Sequence, residues 1–213
     1  MMVDLVFETE FHQPEVQPLF LVVDVGESMK GIGTPRLNQI SVELFGRIAA
    51  DPIFDDKIQV CVIQFAQEFE VLVPLSPTSN VDQIPGFLAS ESPSSYGRMF
   101  RRLHGEMYAA FAAIERSGRR VRRPWVFLVS QGAPPVETWR DQHAALCGED
   151  NPMRPWIIPL GFAGADWGSL QQFARSSYGL RENLMFELDV IGAPYSGALS
   201  GLVSYMSVLT TAS

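Results

Sequence analysis

The chain has 213 residues, 46% of them hydrophobic and 19% charged, enough apolar surface for one sizeable core and little reason to divide it. A formal net charge of −8 opposes general nucleic-acid binding. No apolar run approaches the roughly eighteen residues of a membrane span, so no membrane partner is expected.

From the N-terminus, MMVDLVFETE carries acids where a signal peptide needs a basic region, and a cytoplasmic protein is expected. Residues 1–18 form an extension in which VDLVFETEF alternates partly as an edge strand does, and residues 19–213 read as one domain. Apolar runs bounded by turn residues then recur at Leu19 to Val25, Ile58 to Phe65, Glu68 to Leu75, Trp125 to Ser130 and Trp156 to Gly161, with a last strand near Leu184 to Leu188. Between them Leu37, Ile40, Val42, Leu44 and Ile48 have helical spacing, as do Met99, Leu103, Met107, Ala110 and Ile114. Further helices are expected over Glu137 to Cys147, Trp167 to Ser176 and Ser196 to Thr211.

Strands alternating with helices imply a doubly wound α/β fold, a mostly parallel sheet with helices on both faces. Only Ala66 and Gln67 separate the second and third strands, too few for a parallel crossover, so these two form an antiparallel hairpin. In such folds ligands sit beyond the carboxyl ends of the strands. The loops after Val25, after Ser130 and before the helix containing Arg98 belong to that face. Cys61 and Cys147 have neither metal-ligand spacing nor disulfide logic and are expected as free thiols.

The stretch PLFLVVDVGESMKG, an apolar strand delivering Asp24 into a small-residue loop, resembles the Asp-x-Ser-x-Ser metal motif of von Willebrand factor A (vWA) domains. KIQVCVIQF, EFEVLVPLS, WVFLVSQGAP, IIPLGFAGADWGSLQQFA and SGLVSYMSVLTTAS follow in an order similar to the bacterial tellurium-resistance (TerY-like) branch of that family. The resemblance implies a metal-ion-dependent adhesion site built from an aspartate, two serines, a threonine and a second aspartate. Asp24 and Ser28 match their positions, but Gly26 stands for the first serine and Gln131 for the second aspartate. The threonine's place falls at Gly97 in SSYGRMF, with Ser94 or Ser95 as alternative donors.

A hard dication prefers oxygen ligands and sheds its waters only where anionic ligands compensate. Gln131 removes a charge and Gly26 a hydroxyl, so no cofactor is expected; any Mg²⁺ or Mn²⁺ would rest on Asp24 and Ser28. Eight of fourteen arginines lie between Arg98 and Arg123. Arg98, Arg101 and Arg102 start a helix at the strand-end face, against the sign of its dipole, and Arg98 is the candidate to pair with Asp24 in the place of a metal; the alternative is a solvated arginine face. Arg116, Arg119, Arg120, Arg122 and Arg123 fall at the helix's other end, where cations are favoured, with an acidic-partner or nucleic-acid patch as the alternative.

The hydrolase candidates are Ser28 and Ser130 with His12, His104 or His143, but no nucleophile elbow, phosphate loop or His-x-x-x-His pair accompanies them. The expected function is therefore a non-enzymatic protein–protein interaction or scaffold domain with a degenerate adhesion site. Its partner-binding face comprises Asp24, Gly26, Glu27, Ser28, Ser95, Gly97, Arg98 and Gln131. The resemblance implies a stress-response setting. The alternatives are a cation-dependent vWA domain and a cryptic hydrolase on Asp24 and Ser28.

Overall fold

A computed structural model describes residues 14–50, 54, 57–81, 86–132, 134, 139–175, 184–188, 201 and 204. Strand β1 (Glu15–Asp24) begins earlier than the expected Leu19 and is almost wholly buried. That accounts for its unbroken apolar run, because a central strand is covered on both faces. Helix α1 (Thr34–Ala50) returns the chain to β2 (Ile58–Phe65), which turns through Ala66, Gln67 and Glu68 into β3 (Phe69–Pro77). Helix α2 (Tyr96–Arg116) leads to the two-residue β4 (Arg120–Val121) and to β5 (Trp125–Val129). Then come α3 (Arg140–Cys147), β6 (Trp156–Gly161), α4 (Trp167–Phe173) and β7 (Phe186–Glu187).

The strand order is β3-β2-β1-β5-β6-β7, with β4 beside the start of β1. β2 and β5 flank β1 in parallel, Asp24 opposite Phe65 on one side and Val23 opposite Val129 on the other, while β2 and β3 form the antiparallel hairpin. The chain moves outward from β1 to β3 and then crosses back to β5. Asp24 thus ends the strand at which the winding reverses, where doubly wound folds open a crevice.

Strand residues sort by parity onto two cores. Leu19, Leu21, Val23, Val60, Val62 and Phe127 pack against Leu37, Ile40, Leu44 and Ile48 of α1. Phe20, Val22, Ile63, Val126 and Leu128 meet Met99, Phe100, Leu103 and Met107 of α2, with Leu146 of α3 and Leu170 and Phe173 of α4. Val42 does not join the buried stripe of α1: it is 63% exposed. Two residues from Ile40 it lies about 200° around the helix, and Ser41 takes the inward place, its hydroxyl donating to the Leu37 carbonyl at 3.1 Å.

α4 stops at Phe173 rather than Ser176 because Arg175 leaves the helix to pair with Ile157 in an antiparallel bridge. Its start is fixed by Asp166, whose carboxylate accepts from the Ser169 amide at 3.1 Å. The start expected for α3 at Glu137, the 1–13 part of the extension, and the helix over Ser196 to Thr211 apart from Gly201 and Ser204 lie outside the described residues. Among the described residues, no helix is long and apolar enough to cross a membrane. Cys61 and Cys147 are free thiols.

Truncating Leu103, which is fully buried on α2, should cost about 2–5 kcal/mol in Leu103→Ala. Val42→Ser should stay within about 0.5 kcal/mol of the parent. Urea unfolding of the two variants checks this assignment of helix faces.

Candidate functional site

Asp24 is fully buried, and protein donors surround both of its carboxylate oxygens. Oδ1 accepts from the Gly26 amide at 2.9 Å and from the Ser94 hydroxyl. Oδ2 accepts from the Tyr96 hydroxyl at 2.9 Å and from Ser130 Oγ at 3.1 Å. Four donors match the roughly four lone-pair directions of a carboxylate. Three chain segments supply them: the turn after β1, the loop entering α2, and the turn after β5.

Each donor is itself held. Tyr96, fully buried, lies stacked on Phe173 at 5.0 Å and edge-on to Phe65 at 5.4 Å. Ser130 Oγ accepts from the Gly132 amide at 2.8 Å. Gly132 has φ +70°, and a Cβ there would approach Leu170 Cγ to 2.7 Å and the Asp166 carbonyl to 2.8 Å, so only glycine fits this turn. The loop carrying Ser94 is stitched to the sheet end by Ser90 N–H to the Val25 carbonyl (2.8 Å), Glu27 N–H to the Ser92 carbonyl (3.0 Å) and Ser95 N–H to the Ala66 carbonyl (2.9 Å). Farther up, Phe87 N–H reaches Asn38 Oδ1 and Leu88 N–H reaches Gln64 Oε1.

Burial pushes the Asp24 carboxyl above its ordinary range, against the opposing pull of its four hydrogen bonds. Tyr96 Oη and Ser130 Oγ, both within reach of Oδ2, also lie 2.7 Å from each other.

Of the expected face, Asp24 and Gly26 lie at this centre, while Glu27 and Ser28 are exposed on the 3-10 turn Glu27–Met29. Ser95 precedes α2 and, like Gly97, is half-buried. The Gln131 carbonyl accepts from the Asp166 amide at 2.8 Å, and its Oε1 is buried with no hydrogen-bond partner among the described residues. The expected Arg98–Asp24 pair is corrected: Arg98 turns outward to Glu68, its Nη1 donating to Oε1 at 2.6 Å. With Tyr96, Met99 and Phe100 facing inward, a residue two positions after Tyr96 points away from Asp24. Arg102 likewise lies over the Phe69 ring at 5.7 Å.

Ser94 was legible only as an alternative to the missing threonine. Tyr96 was missed, because an aromatic opening a helix reads as core; its signal was three hydroxyls in a row, Ser94, Ser95 and Tyr96, opposite a glycine. The second arginine group is engaged in the framework. Arg116 caps the Ala112 carbonyl, Arg120 and Arg122 reach Glu15, and Arg123 stacks over Trp156 at 3.3 Å.

The donor set at Asp24 does not fit a hard dication. A cation needs the lone pairs that here face N–H and O–H groups, position 26 offers no side-chain oxygen, and Gln131 adds no charge. Ser130 Oγ, a hydroxyl a hydrolase would need beside a histidine, contacts Asp24, Tyr96 and the Gly132 amide. His143 instead contacts the Phe173 carbonyl at 3.0 Å, and burial lowers its pKa to about 4. Cys147 Sγ lies 3.6 Å from the same ring nitrogen, and burial pushes its thiol up to about 11. His104 is half-buried on α2 and His12 lies outside the described residues.

No family model and no curated protein matches the chain. Among solved structures it is similar to proximal thread matrix protein 1 of the mussel byssus, with a TM-score of 0.62 and 14% identity over 93% of this chain and 49% of that one. The pilus adhesin SpaC of Lactobacillus rhamnosus GG gives 0.61 and 12%, over 93% and 31%. The ArnB paralog VWA2 of Sulfolobus acidocaldarius gives 0.51 and 14%, over 90% and 45%. The chain thus spans half or less of each of these proteins. The mussel protein has also been solved with zinc in its metal-ion-dependent adhesion site. These likenesses establish the fold class: a vWA-like α/β fold.

Because its pKa is raised on folding, Asp24 favours the folded state below the ordinary aspartate pKa and loses that contribution as pH rises through the raised value. The stability of the parent relative to Asp24→Asn should therefore fall with rising pH above about 4. Urea midpoints of both proteins across pH 3–8 check the sign, and a parent advantage that grows with pH would reverse it.

Proposed function

We propose that this chain is a non-enzymatic protein–protein interaction domain of vWA type whose strand-end face works without a bound cation. The observation that carries the reading is the burial of Asp24 among four protein donors. A partner cannot reach a carboxylate with no exposed surface, and a metal cannot use oxygens whose lone pairs are taken. Recognition then falls to the rim of the same face, where Glu27, Ser28 and Arg98 reach solvent, with Ser95, Gly97 and Gln131 shaping the surface beneath. The resemblance to the tellurium-resistance branch supports a bacterial, cytoplasmic stress-response setting with a protein partner.

Chelator-treated protein titrated with Mg²⁺ and Mn²⁺ in a calorimeter should give no Asp24-dependent heat up to millimolar metal. Its thermal midpoint should not move, whereas occupancy of a real site at a hundred times Kd would add about 2.7 kcal/mol of stability. Binding at micromolar to submillimolar metal that Asp24→Ala abolishes would replace this reading with the cation-gated alternative. Turnover of simple ester or phosphate substrates lost in Asp24→Ala would revive the hydrolase.

A further inference from the structure

We infer that the groove between α2 and β3 is the docking site of the chain's own residues 3–11, which lie outside the described residues. The groove has a volume of about 600 Å³, with Phe20 and Cys61 as its floor, Val71 and Leu75 of β3 on one side and Ala110 and Ala113 of α2 on the other. It follows from the path of the chain after β3, which passes over the opposite face of the sheet. Phe87 is buried in the core that α1 covers, and its amide reaches Asn38 of α1. Val71 and Leu75 therefore meet the α2-side core only at its margin and stay half-exposed. The alanines keep the helix wall low, so a peptide backbone can approach closely.

The tether falls at the matching end. Gln59 and Ser117 line the end of the groove near the start of β1, and Gln59 stands opposite Pro18 in the parallel register. Three residues after Ser117, the Arg120 amide donates to the Pro14 carbonyl at 3.1 Å. The chain preceding Pro14 thus departs beside the groove. From Glu106 to Ser117 the groove follows α2 for about 16 Å, whereas residues 1–13 can reach up to about 45 Å, enough to turn back and run its length. The sequence suits the surface it would meet. In VDLVFETEF, Val3, Leu5, Phe7 and Phe11 share one side of the alternation with Thr9, while Asp4, Glu8 and Glu10 share the other with Val6. The apolar side matches the lining. The acids match the exposed Arg116 and Arg120 at the tethered end, in a chain whose net charge of −8 repels them elsewhere.

The test uses the full chain with Cys147→Ser, which leaves Cys61 on the groove floor as the single thiol. Leu5→Ser with Phe7→Ser should raise the rate at which Cys61 reacts with a maleimide by about tenfold, because the covering segment is released. The same pair should lower the thermal midpoint by about 2–8 °C. A second measurement places a disulfide. In a chain with Cys61→Ala and Cys147→Ser, Phe7→Cys paired with Ala113→Cys should crosslink within one chain on mild oxidation by glutathione disulfide. Phe7→Cys paired with Val42→Cys, on the outer face of α1, should not. Unchanged Cys61 reactivity, or equal crosslinking by the two cysteine pairs, would overturn the inference. Crosslinks that run between chains would overturn it in favour of a second copy in the groove. None of these results bears on the metal-free reading of Asp24, which the cation titrations test separately.

Discussion

The buried carboxylate of Asp24 is the constraint around which the strand-end face is arranged. An unpaired charge in such a place would cost several kcal/mol, and the molecule answers with donors from three segments far apart in sequence. The turn after β1 gives an amide, the loop entering α2 gives Ser94 and Tyr96, and the turn after β5 gives Ser130. Because the winding of the sheet reverses at β1, these segments converge there. The carboxylate ties together the two halves of the sheet and the loop that crosses between them.

The same network explains what the site is unsuited for. A cation at Asp24 would need free lone pairs on the carboxylate oxygens. Here N–H and O–H groups take those directions, and burial holds the Asp24 carboxyl above its ordinary range. What faces solvent is the rim, with the Lys30–Glu91 and Arg98–Glu68 pairs around the exposed turn of Glu27 and Ser28.

The framework was legible in the sequence where physics left one solution. A strand covered on both faces is apolar throughout, and β1, β2, β5 and β6 appear as such runs. A hairpin follows when too few residues separate two strands for a crossover, and β2 and β3 pair accordingly. Site details depend on helix phase, which periodicity does not set to the residue. Once Tyr96 turns inward, Arg98 turns outward, and the three arginines that seemed aimed at Asp24 face the hairpin and solvent. Val42 failed for the same reason on α1. Gly26 was read as a lost ligand, whereas the space it leaves is filled from Ser94, 68 positions on, a proximity that no local pattern reveals.

The most direct test is carbon-13 NMR of the Asp24 carboxyl in the unaltered protein as Mg²⁺ is added at neutral pH. A signal unchanged through millimolar Mg²⁺, and titrating with a midpoint above that of an ordinary aspartate, is the predicted result. A saturable displacement of that signal by Mg²⁺ would mean that the cation takes the lone pairs assigned here to Ser94, Tyr96 and Ser130, and would contradict the account.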